Sequence, residues 1–370
     1  MKLLRIKAIM KKEFIQIWRD PLSLAIAFLM PLIQLFIYGY AITFDVTNIT
    51  TVVYDRDKSL LSRELVKEFE QSGYFTINAY LDHEDEVDAY LNSGKALVAV
   101  LIPAGFQKQV KTGHEVQVGM MLDGGDSNTA TIANGYISAI GQRFSQRMAG
   151  KKLTPLIDAQ TRVWYNPELK SKNFIVPGLI AIIMAVIVAL LTSLTMAREW
   201  ERGTMEQLIS TPVKTSELII GKLIPYFMIG FLDLVFSVVM GVFLFGVPLK
   251  GSVVLLIGLS SIFLVGGVCQ GILISIIAKD SQAIASQIAL LSTFLPAFLL
   301  SGFIFAIANM PRVFQFITYI VPARYYVTIL KGIFMKGVGL SILLGDALLL
   351  GVYGIVVFIA ANKRFQKRID

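Results

Sequence analysis

Phe174 to Ala197 is a run of 24 residues without one charged side chain, and it stops abruptly at Arg198-Glu199-Trp200-Glu201-Arg202. As a helix rising 1.5 Å per residue it would reach about 36 Å, enough to cross a hydrocarbon layer of about 30 Å with some tilt. Five further apolar blocks accompany it: Leu22–Phe44, Ile219–Val247, Val253–Ala278, Ile284–Phe305 and Leu343–Ala361. The expectation is an α-helical polytopic membrane protein with six transmembrane helices, whose work is done across a bilayer.

Charge gives the orientation. Leu3, Ile6, Met10, Phe14 and Ile17 recur at helical spacing, with Lys2, Arg5, Lys12 and Arg19 opposite, which predicts an amphipathic helix over 1–20 lying in the headgroup plane of membrane lipid. Asp20-Pro21 reads as the cap and first turn of the first span, 21–44. Residues 1–20 hold six Lys/Arg and two acids, and the tail from Lys363 holds four basic residues and Asp370. Six crossings place both termini on one side, and their basic character makes that side cytoplasmic. The net charge of +8 is therefore a membrane signal. No basic stripe with interleaved aromatics points to nucleic acid. The charged fraction is only 16%, against roughly 25% in soluble domains. No cleavable secretion signal is expected, because the first apolar block is too long for one.

Segment 45–172 is different: 14 basic and 16 acidic residues, and alternating strand and helix patterns. Strands are expected at Thr51–Tyr54, Phe75–Tyr80, Ala96–Ile102, Val116–Leu122 and Thr161–Tyr165, and helices at Ser59–Gln71, His83–Leu91, Gly105–Thr112 and Ser127–Met148. That succession predicts an inserted α/β extracytoplasmic domain between the first two spans. The single cysteine, Cys269, lies in an apolar block and allows no intrachain disulfide. Residues 306–341 carry Arg312, Arg324, Lys331 and Lys336 with no acid, among many aromatic and aliphatic residues. They read as short helices re-entering the outer leaflet, broken at Pro311 and Pro322; the alternative is an amphipathic outer loop with snorkelling cations.

Candidate sites are few. Asp233 stands deep in the third span, where a lone carboxylate costs about 2.5–3.5 kcal/mol, so it should face the bundle interior or a wet cavity. It serves either the translocation path or proton coupling, or else a helix–helix hydrogen bond. His83 and His114 are far apart and have no metal-ligand spacing, and Asp123-Gly124-Gly125-Asp126-Ser127 reads as a turn and cap. Each Gly-Lys pair is followed by Ala, Lys or Leu, so there is no phosphate-cradling Gly-x-x-x-x-Gly-Lys-Ser/Thr loop. If ATP drives this chain, another polypeptide binds it. The most specific polar feature follows the second span. Glu199, Glu201, Arg202 and Glu206 crowd a predicted helix, 199–211, whose apolar side offers Trp200, Met205, Leu208 and Ile209. Mixed charge around apolar anchors suits docking of a cytoplasmic partner.

An ordered series of short motifs then carries a resemblance over nearly the whole chain. It runs from Arg19-Asp20-Pro21, Pro31, Gln34 and Gly39-Tyr40-Ala41 through Asp55-Arg56-Asp57-Lys58-Ser59, Ser62-Arg63, Asp123-Gly124, Ser127-Asn128-Thr129-Ala130, Trp164-Tyr165-Asn166-Pro167-Glu168-Leu169 and Val176-Pro177-Gly178. It continues with Glu201-Arg202-Gly203-Thr204, Thr211-Pro212, Gly221-Lys222, Pro225-Tyr226, Ser301-Gly302-Phe303-Ile304-Phe305, Met310-Pro311, Pro322, Lys331-Gly332 and Lys336-Gly337. The chain resembles the permeases of ABC exporters of the ABC-2 class, with Ala306 where relatives often have Pro and Lys331 where they often have Arg.

The resemblance implies a non-catalytic half-transporter in the bacterial inner membrane that moves a drug-like, lipidic or other amphipathic cargo outward. A second permease, identical or paralogous, completes the path. A cytoplasmic ATPase dimer holds ATP and Mg, so no cofactor is expected in this chain, and a periplasmic adaptor can receive the cargo. Contact with the ATPase is assigned to Glu199, Trp200, Glu201, Arg202, Gly203, Thr204, Met205, Glu206 and Leu208, and the path to Asp233, Gln34 and Tyr38. Small residues such as Gly221, Gly230, Gly241, Gly258, Gly266, Gly267 and Gly271 should allow close helix approach. The competing readings are an ion-coupled secondary transporter, which would normally show an internal repeat, and a non-transporting transducer driven by an ATPase.

Overall fold

The computed structural model describes residues 3–41, 46, 48–125, 127–148, 165–166, 170–278 and 281–365. The strand expected at 161–165, apart from Tyr165, lies outside the described residues, as do Pro167-Glu168-Leu169 and Asp126. The chain divides into two units, Met1–Thr43 with Val163–Asp370, and Phe44–Arg162.

Among the described residues, six helices are long and apolar enough to cross a membrane: Pro21–Ala41, Ser171–Glu201, Thr215–Leu244, Val253–Ala278, Gln282–Leu300 and Leu340–Arg364. The second is the hub. Its most apolar stretch is 89% buried, against 22% for the first and fifth spans, so the other helices surround it. At Gly271 a Cβ would stand 2.8 Å from the Ala189 carbonyl, so the fourth span touches the second backbone to backbone. Gly178 leaves room for the Phe303 ring in the same way. Gly258, by contrast, faces open space and takes no part in packing.

Span ends shift for local reasons. The third span starts at Thr215 because the Glu217 carboxylate accepts from the Lys214 amide at 3.1 Å, a cap invisible to hydropathy. The fifth stops at Leu300 instead of Phe305, since Gly302 adopts φ +79° and turns the chain. Beyond it, Arg312–Ile320 and Pro322–Lys336 form a pair bent by 88° at Pro322, one of the two prolines at which a break is expected. The amino-terminal helix, Leu3–Trp18, packs against the third span through Ile6, Ile9, Glu13 and Ile17. Leu3 is largely exposed and Phe14 borderline, so the buried stripe differs from the expected one and includes a carboxylate.

The second unit carries a four-stranded sheet in the order β2-β1-β3-β4, with β1 at Ile49–Asp55, β2 at Phe75–Leu81, β3 at Val98–Ile102 and β4 at Gly119–Leu122. β1 is parallel to both β2 and β3, and β4 is antiparallel to β3. Helices Leu60–Gln71, Phe106–Lys111 and Ser127–Met148 cover one face, around Val53, Phe69 and Phe144; Asp85–Asn92 covers the other, around Val52 and Val87. The Asp55–Ser59 motif is structural. Asp55 accepts from the Asp57 amide and Ser62 Oγ, while Asp57 accepts from the Gly105 and Gln107 amides and so caps the helix starting at Phe106.

Candidate functional site

The second span runs past its apolar stretch to Glu201, and its last turn meets the amino-terminal helix and the start of the third span. Three charged side chains are almost wholly enclosed there: Glu13 and Lys222 at 0% exposure and Glu199 at 1%. Lys222 Nζ donates to Glu13 Oε1 at 2.7 Å and to Glu199 Oε2. Lys12 Nζ reaches Glu199 Oε1 and lies 3.2 Å from Glu13 Oε1, and Tyr226 donates to Glu13 Oε2 at 3.0 Å. Two carboxylates and two ammonium groups balance, which is what makes such burial tolerable. Burial pushes the Glu13 carboxyl upward, but the charges of Lys222 and Lys12 outweigh it and hold the group down to about 2.

A second polar knot lies beside the first. Arg198 bonds Asp20, which also accepts from Ser23, and donates through Nε to Gln282 Oε1 at 3.1 Å. Gln282 in turn donates to Glu201. Burial raises Asp20, and the bonds from Ser23 and Arg198 more than reverse this, leaving it below the usual carboxylate range. Arg5 donates to the Pro212 carbonyl and lies 3.5 Å from the buried Glu217. The polar entries to the first, second, third and fifth spans are thus cross-linked at one end of the bundle.

The segment 199–211 is not one helix. Glu199–Glu201 finishes the second span, Gly203 at φ +68° breaks the chain, and a separate short helix covers Thr204–Ile209. Only Gly bears that conformation without strain, which is why the rotation falls there. The Thr204 hydroxyl donates to the Glu199 carbonyl at 3.1 Å and fixes the new direction. Of the nine residues expected to face a partner, Glu199 and Met205 are buried within this chain, and Trp200 packs against Phe365 at 6.1 Å. Leu208 is half-buried on the same core. Glu201, Arg202 and Glu206 point outward, with Gly203 and Thr204 between them partly exposed.

The three path candidates separate. Gln34 and Tyr38 converge with Leu179, Ile183, Phe294 and Phe298 on a cleft of about 20 Å³ between the first, second and fifth spans. Asp233 is elsewhere, 1% exposed, one turn from the buried Ser237 hydroxyl. Sequence reasoning missed Glu13, Lys12 and Lys222 as a cluster. The available signal was the same one that marked Asp233, an ionisable residue inside an apolar block, and a carboxylate in an otherwise basic helix. Among the described residues no group of His, Cys, Asp and Glu could hold a metal ion.

Comparison with known proteins places this architecture. The ABC-2 family transporter protein model matches residues 21–363. The chain is 40% identical over 99% of its length, and 98% of the relative's, to the probable multidrug ABC transporter permease YbhS of Escherichia coli K12. It is 32% identical to the probable multidrug ABC transporter permease YbhR of that organism over 99% of both chains. It is also 29% identical to the inner membrane transport permease YhhJ, over 86% of this chain and 85% of that one. Matched from end to end, this multi-pass membrane protein belongs to the ABC-2 transporter family, as a non-catalytic permease subunit whose ATPase resides in a partner.

Proposed function

We propose that the chain is the membrane subunit of an inner-membrane exporter for drug-like or other amphipathic cargo, and that ATP hydrolysis reaches it through the end of the second span. The similarity to probable multidrug permeases supports the cargo class. Two similar paralogues in one organism support a pair of permeases, built here from two copies or from this chain and a relative. ATP and Mg stay with the ATPase dimer, and a periplasmic adaptor is the expected receiver. The basic amino end supports a cytoplasmic position for the amino-terminal helix and for Thr204–Ile209.

The observation that carries the coupling reading is the enclosed Glu13–Lys222–Glu199–Lys12 cluster. It ties the amino-terminal helix and the second and third spans together, while Glu201, Arg202 and Glu206 remain outward beside it. A push on those outward groups would move three elements together and change the access of the cleft at Gln34 and Tyr38. The test is Glu201→Lys in cells that also express the cognate ATPase, with efflux of a fluorescent dye and ATP hydrolysis measured together. Hydrolysis that persists while efflux is lost is the expected result; efflux at the wild-type rate refutes the assignment.

A further inference from the structure

A second cavity, sharing no lining residue with the Gln34–Tyr38 cleft, also borders the fifth span. It encloses about 300 Å³, the lower end of the roughly 300–1,000 Å³ usual for small-molecule sites. Ala185 of the second span, Gln270 of the fourth, the fifth span from Ser292 to Leu300, and Tyr353 of the sixth line it. Its outer wall is the bend of the re-entrant pair, from Ile317 to Ala323. Among the described residues, none that lines it is charged.

Apart from Ser292, its polar side chains meet in one corner. Gln270 Nε2 donates to Thr293 Oγ1 at 3.0 Å, and Gln270 Oε1 accepts from the Tyr353 hydroxyl at 2.7 Å. These bonds orient the corner and leave one Gln270 amide proton and the Thr293 hydroxyl proton to be met from the cavity. Thr293 belongs to a π-helical turn, Leu290–Phe294, inside the fifth span, an irregularity that recurs at functional positions. At the rim, Ile320 is 78% exposed and Ile317 41%, so the mouth is edged with apolar side chains that face lipid.

We infer that this cavity is a binding site for an uncharged amphiphile that arrives from within the bilayer, its apolar body along the fifth span and a hydrogen-bond-accepting group on Gln270 and Thr293. The absence of lining charge selects against ionic headgroups, and the apolar rim selects for molecules already dissolved in lipid. A bilayer lipid and a laterally entering cargo share this chemistry. The site itself does not depend on the proposed exporter activity.

The experiment uses the full-length chain in lipid nanodiscs and two photoactivatable probes of equal length, a monoacylglycerol and an alkane, each with a diazirine near the chain end. Cross-linked peptides are mapped by mass spectrometry. The monoacylglycerol should concentrate on residues 292–300 and 317–323. Gln270→Met and Thr293→Val should each lower its yield by about fivefold, the worth of one hydrogen bond, and leave the alkane yield unchanged. Ala297→Phe, which fills the cavity, should lower both; Gln270→Met nearly conserves volume and decides the matter if Ala297→Phe does not fold. Competition by unlabelled monoacylglycerol alone marks a bilayer lipid, and competition by an exported dye as well marks cargo; both support the site. Label spread evenly onto outward residues such as Leu344 and Val352, or indifferent to Gln270→Met and Thr293→Val, overturns it.

Discussion

Replacing Lys222 by Met tests the charge cluster directly. The substitution keeps much of the volume but removes the fully enclosed one of the two cations that contact both Glu13 and Glu199. The remaining cation, Lys12, is 37% exposed and can retreat to solvent, so two enclosed carboxylates are left with one partial partner. Breaking a buried pair by deleting one member typically costs about 3–5 kcal/mol. For a unit of this size that corresponds to a fall in melting temperature of roughly 10 °C, read by thermal unfolding of the purified chain in nanodiscs.

The pH trend gives a sharper reading. In the wild type, the charges of Lys222 and Lys12 hold Glu13 below its ordinary 4.5, so its contribution is complete above about 4.5 and is lost as pH falls through the depressed value. Without Lys222, only Lys12 opposes burial, so the folded-state value should rise and the acid-driven loss of stability should shrink or reverse. Lys222→Met with Glu13→Gln restores one carboxylate to one ammonium and should recover most of the loss. A single variant that melts with the wild type and shares its pH trend, or a double variant no better than the single, refutes the argument.

Other positions offer independent checks. Gly271→Ala should destabilise the chain by about 1–3 kcal/mol through overpacking against Ala189, whereas Gly258→Ala should be neutral; the two melting temperatures decide. Asp57→Ala removes the cap on helix Phe106–Lys111 and should cost about 1 kcal/mol, seen as faster amide exchange across 105–111. Asp233→Asn keeps the shape of a buried side chain and an oxygen for the neighbouring Ser237 hydroxyl, and should leave folding, efflux and the pH profile of efflux intact. A lost pH dependence in that variant would restore the ion-coupled reading.

How much of this could be read from the sequence depended on the range of the forces involved. The spans were legible because an apolar run such as 174–197 has one fate in lipid, and the bend at Pro322 because proline restricts its predecessor. The strands of the second unit were legible from alternation, while its order β2-β1-β3-β4 was not, since pairing joins residues as distant as Val53 and Val100. The site was only half legible. Glu201, Arg202 and Glu206 stood out by local charge density, but Glu199 carries the same local signal and is inward. What separates them is Lys222, 23 residues on, and Glu13, far upstream, neither of which announces its partner.

The cluster also constrains how motion could pass through the chain. An apolar core at the same place would hold the three elements with comparable strength but would let them slide, because dispersion contacts have no fixed partner. Lys222 has two carboxylates at hydrogen-bond distance, and any shift of the second span against the amino-terminal helix strands one of them in a dry interior. The junction therefore tolerates rotation as a body and resists internal shear. Compliance must sit elsewhere, and the chain supplies it at Gly203, where the short helix hinges with φ +68°, and at π-helical turns such as Ala25–Leu29 in the first span and Leu290–Phe294 in the fifth. Those two spans, with the rigid second one, wall the cleft at Gln34 and Tyr38. On the proposed reading, a displacement applied at Glu201 and Arg202 is carried without loss along the second span and is absorbed where the first and fifth can unwind. A cleft that changes width without relative movement inside the charge cluster is the expected signature. Spin labels placed at Gln34 and Phe298, and separately at Ile6 and Leu223, would read the two distances; a shift confined to the second pair would contradict the division of labour between lock and hinge.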